Sequence, residues 1–474
     1  MIILESTLNH CPVFGEYYRL RGLFRSTSRG QARWMNTVEM RLYLKKKHTG
    51  LVFSPNHRLS FDQSFKNLGL IAPTGSGKTT RFVIPNILNC EGSVVVTDPS
   101  GEIFKLTSGH MQKRGYKIQI LNPANPSQSL RFNPLKRFNT QQKLKQIATT
   151  LGMNNAGKEP YWNISAVNII YICLLALNSY PDKKYVHIGN IRKLLNNYGV
   201  NGEGIKDFMT QFLDDSNFDE FKSFFSKDSK LIGSILSTAE AALDIWSDPE
   251  IVRLTSSDNI SIEALRNEKT IIYIMIPEHK IKYFSLLVNI FYSACFEFCL
   301  EKSDGLPVFF FLDEFGNLGK INNFASIATT LRKKKCSINI ILQELSQLEA
   351  IYGKSEAKAI FSGGMANKLF LSGLDIESCS YLEKVLGNKT QYDTVFGGFS
   401  EKVQTIARPL LTLDKIRMLD ESKGILISGR QLPIKIKMPA FFQCKAWHKL
   451  TQEKPADLNF NYSDEKVNFL DLAC

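Results

Sequence analysis

The sequence predicts an α/β fold with a mostly parallel central sheet, interrupted by an all-helical insertion. Three observations predict it. Continuous apolar, β-branched runs of strand length alternate with helical periodicities, which is the pattern of strands buried on both faces. One such run leads into a glycine-rich phosphate-loop motif that opens a helix. Residues 140–266 carry helical periodicity with hardly any strand signal, and strands resume after them.

Along the chain, residues 1–50 hold nine Arg and Lys against three Glu. This basic stretch reads either as a solvated face or as a surface for nucleic acid or a membrane leaflet. Residues 67–72 form a short strand and 73–77 a turn. A helix starts at Lys78, and Pro85 kinks or ends it. The run 93–97 (SVVVT) is a strand buried on both faces, and 117–121 is another. Within 140–266 the clearest helices are 162–177 and 231–246, and the polar stretch 196–204 reads as a loop. Strands return at 270–276, 308–312, 337–342, 368–371, 403–407, 424–428 and 434–437, with helices between most of them. That alternation argues a parallel sheet covered on both faces. The expected organisation is a basic arm (1–50), a discontinuous nucleotide-binding domain (51–139 and 267–447), an all-α insertion (140–266) and a C-terminal tail (448–474).

Composition bounds the class. The 474 residues leave room for about three domains. A hydrophobic share of 43% and a charged share of 22% exclude a mainly disordered or fibrous chain. The net charge of +14 permits contact with nucleic acid or anionic lipid. The nine cysteines are scattered without a CxxC pair, so neither a zinc site nor a secreted disulfide framework is expected. Cys295 and Cys299 share a helix face and read as core. Reduced thiols fit a cytosolic compartment. The N-terminus lacks the basic region and apolar stretch of a signal peptide. Residues 283–300 are long and apolar enough to approach a membrane span, but Asn289, Glu297 and flanking strands favour a buried crossover helix. No transmembrane segment is expected.

The chemistry is concentrated in few residues. Ala72-Pro73-Thr74-Gly75-Ser76-Gly77-Lys78-Thr79 is a phosphate-binding loop with Ala72 in place of the usual first glycine. Gly75 and Gly77 let backbone N–H groups turn inward, so that the loop from Thr74 through Ser76 to Thr80 cradles phosphate oxygens. Lys78 reaches the β- and γ-phosphates, Thr79 offers its hydroxyl to Mg²⁺, and the helix N-terminus faces the anion. A neighbouring strand end must then supply a metal carboxylate. The run FFFL followed by Asp313 and Glu314 does so. Asp313 would hold Mg²⁺, and Glu314 would orient or deprotonate the attacking water. Gln343, at the end of SINIIL, could reach a γ-phosphate or the water. Arg332 could be offered to a neighbouring subunit as a finger, although Lys333, Lys334 and Lys335 after it also read as a solvated basic run.

Together these residues resemble the type IV secretion coupling proteins of the TraG/TraD type, the ATPases of bacterial conjugation. The resemblance extends to Arg29-Gly30-Gln31-Ala32-Arg33-Trp34, to Thr97-Asp98-Pro99-Ser100-Gly101-Glu102 (Ser100 where Lys is usual), to Asn133-Pro134-Leu135, to Gln343-Glu344-Leu345-Ser346-Gln347-Leu348 and to Arg408-Pro409-Leu410-Leu411. It covers about residues 28–445. It implies a RecA-like P-loop domain with an inserted all-α domain, a homo-hexameric ring and ATP between subunits. It further implies ATP and Mg²⁺ at Lys78, Thr79, Asp313, Glu314 and Gln343, with Arg332 as the trans finger. The family usually carries N-terminal transmembrane helices, and this chain starts almost at the post-anchor segment. The expectation is a separate membrane-anchor subunit or a soluble variant recruited to the cytoplasmic face of the inner membrane. The tail from His448 is read either as a frayed end or as an acidic–apolar peptide that binds a partner.

The function implied is an ATP-driven motor that recruits a DNA–relaxase complex and moves single-stranded DNA, without sequence preference, to a type IV secretion channel. Alternatives are a receptor ATPase for protein effectors, a soluble DNA translocase of the FtsK/HerA type, and a non-hydrolytic docking platform.

Overall fold

In the computed structural model, residues 29–153, 160–198, 202–397, 400–458, 460 and 466–471 are described. A small hairpin of β1 (Val52–Ser54) and β2 (His57–Arg58) comes first. The strands β3 (Leu68–Ile71), β4 (Ser93–Asp98), β5 (Lys117–Leu121), β6 (Thr270–Met275), β7 (Val308–Leu312), β8 (Cys336–Leu342) and β9 (Asn367–Phe370) follow. Then come β10 (Asn388–Gly397), β11 (Ser400–Pro409), β12 (Lys423–Ser428) and β13 (Ile434–Lys437). Nine of these make one sheet in the order β13-β12-β9-β3-β8-β7-β4-β6-β5. The strands from β9 to β5 run parallel, and β12 pairs antiparallel with both β9 and β13 at one edge.

The continuous apolar strands are what a doubly covered sheet requires. Along β7, Val308, Phe310 and Leu312 enter one core, while Phe309 and Phe311 enter the other. The first core is shared with the helical block and with the helix Ile281–Glu301, which crosses from β6 to β7. The second is filled by Phe82, Ile87, Ile103, Met111 and Trp447 from the opposite face.

Among the described residues, the chain between β5 and β6 forms helices and no strand. Pro160–Ser179 and Ser229–Ala242 hold the two clearest predicted helices. The expected loop 196–204 is too long. The helices Ile188–Asn197 and Gly202–Phe212 take both its ends, where burial of Leu194, Leu195, Ile205 and Phe208 overrides the asparagines and glycines, and residues 199–201 lie outside the described residues.

Two other expectations change. Residues 403–407 belong to β11, which pairs with β10 in a separate two-stranded sheet and not with the central one. The helix at Lys78 opens as a π-helix (Lys78–Val83) and becomes α-helical only at Ile84–Leu88, with Pro85 at its start.

Among the described residues, two helices, Tyr161–Ser179 and Glu278–Glu301, are long and apolar enough to cross a membrane, and 67% of each apolar window is buried inside the fold. The seven described cysteines are free thiols; Cys295 and Cys299 are fully buried. Of the N-terminal arm, residues 1–28 lie outside the described residues, and with them Arg19, Arg21 and Arg25.

The tail reading as a frayed end does not hold for the described part. Ala456 is buried, and its N–H donates to Ser108 Oγ at 3.0 Å. Leu470 is 2% exposed in the core shared with the helical block.

Candidate nucleotide site

The topology brings three motif segments to one end of the sheet. β3, β8 and β7 are parallel neighbours, so the loop after β3, Gln343 after β8 and Asp313-Glu314 after β7 emerge side by side. This is the carboxyl end, where open α/β sheets bind ligands. The loop is tied down at its start by Ala72 N–H, which donates to the last carbonyl of β8, Leu342, at 2.9 Å. Gly75 and Gly77 have φ of 81° and 85°. A side chain at Gly77 would also meet Arg81 Nε at 2.8 Å. Ser76 Oγ donates to Pro73 O at 2.6 Å and Thr80 Oγ1 to Gly77 O at 3.3 Å, which closes the loop on itself. Thr74 and Gly75 remain exposed at its tip.

Lys78 is paired with Glu314 and lies 3.8 Å from Asp313 Oδ1. Thr79 Oγ1 donates to Asp313 Oδ2 at 3.2 Å. Asp313 and Glu314 are buried, at 2% and 6% exposure. Burial pushes the Asp313 carboxyl above its usual range, while Lys78 and the Thr79 hydroxyl favour its charged form. Glu314 sits in the left-handed region (φ 55°), turned back so that its own N–H donates to Asp313 Oδ1 at 3.0 Å. Such backbone costs of order 1–3 kcal/mol and occurs where surroundings over-determine it. Gln343 Nε2 donates to Glu314 Oε2 at 3.1 Å.

One partner of Glu314 escaped the sequence reading. Asn317 Nδ2 donates to the same Oε2 at 3.3 Å, from the 3₁₀ turn that follows. Its only sequence signal is a polar residue three positions after Glu314.

Arg332 is not brought to this site. The helix Phe324–Leu331 stops before it, and Arg332 starts an exposed 3₁₀ turn at the entry to β8. That is the opposite end of the strand from Gln343, roughly 20 Å away at about 3.3 Å per residue.

The donor set fits a magnesium nucleotide. Thr79 and Asp313 place a hydroxyl and a buried carboxylate together, as a Mg²⁺ ion linked to phosphate demands. The open, positive-φ loop beside the Lys78 ammonium suits phosphate oxygens.

A family model described as "Type IV secretory system Conjugative DNA transfer" matches residues 25–464. The chain belongs to this family. It is similar to the protein VirD4 of Agrobacterium fabrum (strain C58 / ATCC 33970), 24% identical over 458 residues that cover 89% of this chain and 67% of the relative. It is also similar to a conjugal transfer protein TraG of Escherichia coli, 25% identical over 417 residues, 80% of this chain and 63% of the relative. The chain thus spans about two thirds of the length of these relatives.

Among solved structures, the plasmid coupling protein TrwB in complex with ADP and Mg²⁺ matches with a TM-score of 0.68 at 16% identity, over 86% of this chain and 94% of that one. VirB4 of Thermoanaerobacter pseudethanolicus matches with a TM-score of 0.53 at 12% identity, over 84% and 98%. This family member therefore has the expected RecA-like P-loop fold with a helical domain.

Proposed function

We propose that this coupling protein hydrolyses ATP to drive single-stranded DNA, delivered by a relaxase complex, into a type IV secretion channel. The observation that carries the reading is the convergence of Lys78, Thr79, Asp313, Glu314 and Gln343 at three adjacent strand ends. Lys78 binds the β- and γ-phosphates. Thr79 and Asp313 hold Mg²⁺, which when bound neutralises developing phosphate charge. Glu314 orients the attacking water and takes its proton, and Gln343 keeps that carboxylate aimed. The buried acidic pair favours hydrolysis over a passive docking platform, because a nucleotide that only stabilises a ring needs no water-activating carboxylate.

The nucleotide-binding domain is taken as 51–139 with 267–447, the insertion as 140–266 and the tail as 448–474. The motor works as a homo-hexamer, with Arg332 reaching the nucleotide of a neighbouring copy. Membrane recruitment uses residues 33–47. Val38 and Leu42 stand one helical turn apart at 67% and 66% exposure, beside exposed Arg41, Lys45, Lys46 and Lys47. An apolar pair in a basic setting suits an anionic leaflet or an anchor subunit.

Steady-state ATP hydrolysis with and without single-stranded DNA tests the reading. Wild type should be stimulated by the strand. Glu314→Gln should bind ATP and lose about 10²-fold or more in rate, and Lys78→Ala should lose turnover. Wild-type rates in both variants would refute the site.

A further inference from the structure

A cleft of about 750 Å³ is lined by residues of both the helical block and the motor, among them Gly316 and Asn317 just after Glu314. Thr150, Lys282, Asn289, Gly316, Asn317 and Lys320 are among its walls. No carboxylate lines it among the described residues. Lys282 is exposed; Lys320 is exposed as well and pairs with Glu356 at 2.8 Å. The remaining polar walls are hydroxyl and amide groups, which with lysines are the usual donors to phosphodiester oxygens. Asn289 is 1% exposed, and among the described residues its Oδ1 has no hydrogen-bond partner.

The cleft touches the catalytic carboxylate through one residue. Asn317 lines the cleft, and its amide donates to Glu314 Oε2. Glu314 is then engaged on both oxygens, by Lys78 on one and by Gln343 and Asn317 on the other. A carboxylate so occupied is a poor acceptor for a water proton.

We infer that Asn317 is a positioning residue that couples this cleft to Glu314. A single-stranded DNA backbone lying along Lys282 and Lys320 draws the Asn317 amide to a phosphate oxygen, and the acceptor position it vacates on Glu314 Oε2, with Gln343 still holding that oxygen from its other side, takes the attacking water. This rests on the reading of Glu314 given above and adds the route by which the strand stimulates hydrolysis.

Two measurements on the full-length protein test it. The first is ATP turnover with and without a polydeoxythymidine strand, for wild type, Asn317→Ala and Asn317→Asp. Removing the amide, or replacing it with a repelling carboxylate, should raise the strand-free rate by about threefold or more, as loss of a charged hydrogen bond implies. The strand-stimulated rate should change little, so the stimulation ratio collapses. A fall in both rates by the same factor would overturn the coupling, because a purely structural role predicts that.

The second measurement is fluorescence anisotropy of the labelled strand without nucleotide. Lys282→Ala/Lys320→Ala should weaken binding by about tenfold at low salt and flatten its salt dependence. Unchanged affinity would place the strand elsewhere and overturn the proposal. Absence of ATP turnover in wild type under all conditions would instead refute the parent reading, and the anisotropy result would still decide the cleft.

Discussion

At Glu314, two buried acids, one cation and two amides settle a competition. The Lys78 ammonium is shared between Glu314 and Asp313, so a phosphate group arriving at the loop must take it from them. In the proposed mechanism that exchange moves the cation from the carboxylate assigned to water activation to the substrate, which links binding to activation. Arg332 belongs to the same scale, and in the proposed hexamer it serves a neighbouring copy. Its distance from its own loop means that any part it plays in hydrolysis acts across a subunit boundary. Arg332→Ala should therefore lower the rate of assembled protein by about 10²-fold or more. Mixing it with Lys78→Ala should restore activity, because each variant supplies what the other lacks. A mixture no more active than the two inactive parents would exclude the trans finger.

At the element scale, β9 holds an unusual charge. Lys368 is 8% exposed between β3 and β12, and its ammonium donates to Met365 O at 2.6 Å. Burial lowers its pKa from 10.5 to about 8. The folded state thus sheds a proton that the unfolded chain keeps between about pH 8 and 10.5. The penalty is full below pH 8 and fades as pH rises to 10.5. Lys368→Met should stabilise the fold at pH 7 by at most about 3 kcal/mol, and this gain should shrink toward pH 10.5. Denaturant melts at the two pH values check it; a gain independent of pH would remove the charge as its cause.

Most strands were legible because burial on both faces writes an apolar run with no interruptions, as in VFFFL. β10 was not, since Asn388, Lys389, Gln391 and Asp393 leave it no such run and it pairs with β11 and, through one bridge, with Gln31, outside the central sheet. The phosphate loop and the acidic strand end were legible because fixed local spacing carries their chemistry. The Asn317 contact and the Asn289 cleft were not, because the first depends on the left-handed turn at Glu314 and the second forms only where the helical block meets the motor.

Over the whole molecule, the tail ties the two lobes together. From the motor side, Lys454 passes over Gly109, where any side chain would clash at 2.0 Å, and Glu453 pairs with Lys113. From the helical side, Asn190 reads the tail backbone with both ends of its amide. Its Nδ2 donates to Asn468 O at 3.1 Å, and its Oδ1 accepts from Leu470 N at 3.0 Å. The partners are 280 positions apart in sequence, which is why the tail read as free or partner-seeking. Phe469 lies edge-on to His187 at 5.9 Å, under the Lys193 ammonium at 5.7 Å.

Burying Leu470 contributes about 2 kcal/mol, enough to seat the segment but small against the whole core. Leu470→Asp should therefore release the segment without unfolding the helical block. Trypsin should cut after Lys466 much faster, while the main transition temperature falls by only about 2–4 °C. Asn190→Ala should raise the cleavage less, since it removes its own two backbone contacts while His187 still holds Asn468 O and Lys193 still holds Leu470 O. A large cooperative loss of structure in either variant would instead make the tail an integral part of the helical core, because a short strap seated by one buried leucine and a few polar contacts cannot carry that much of the fold.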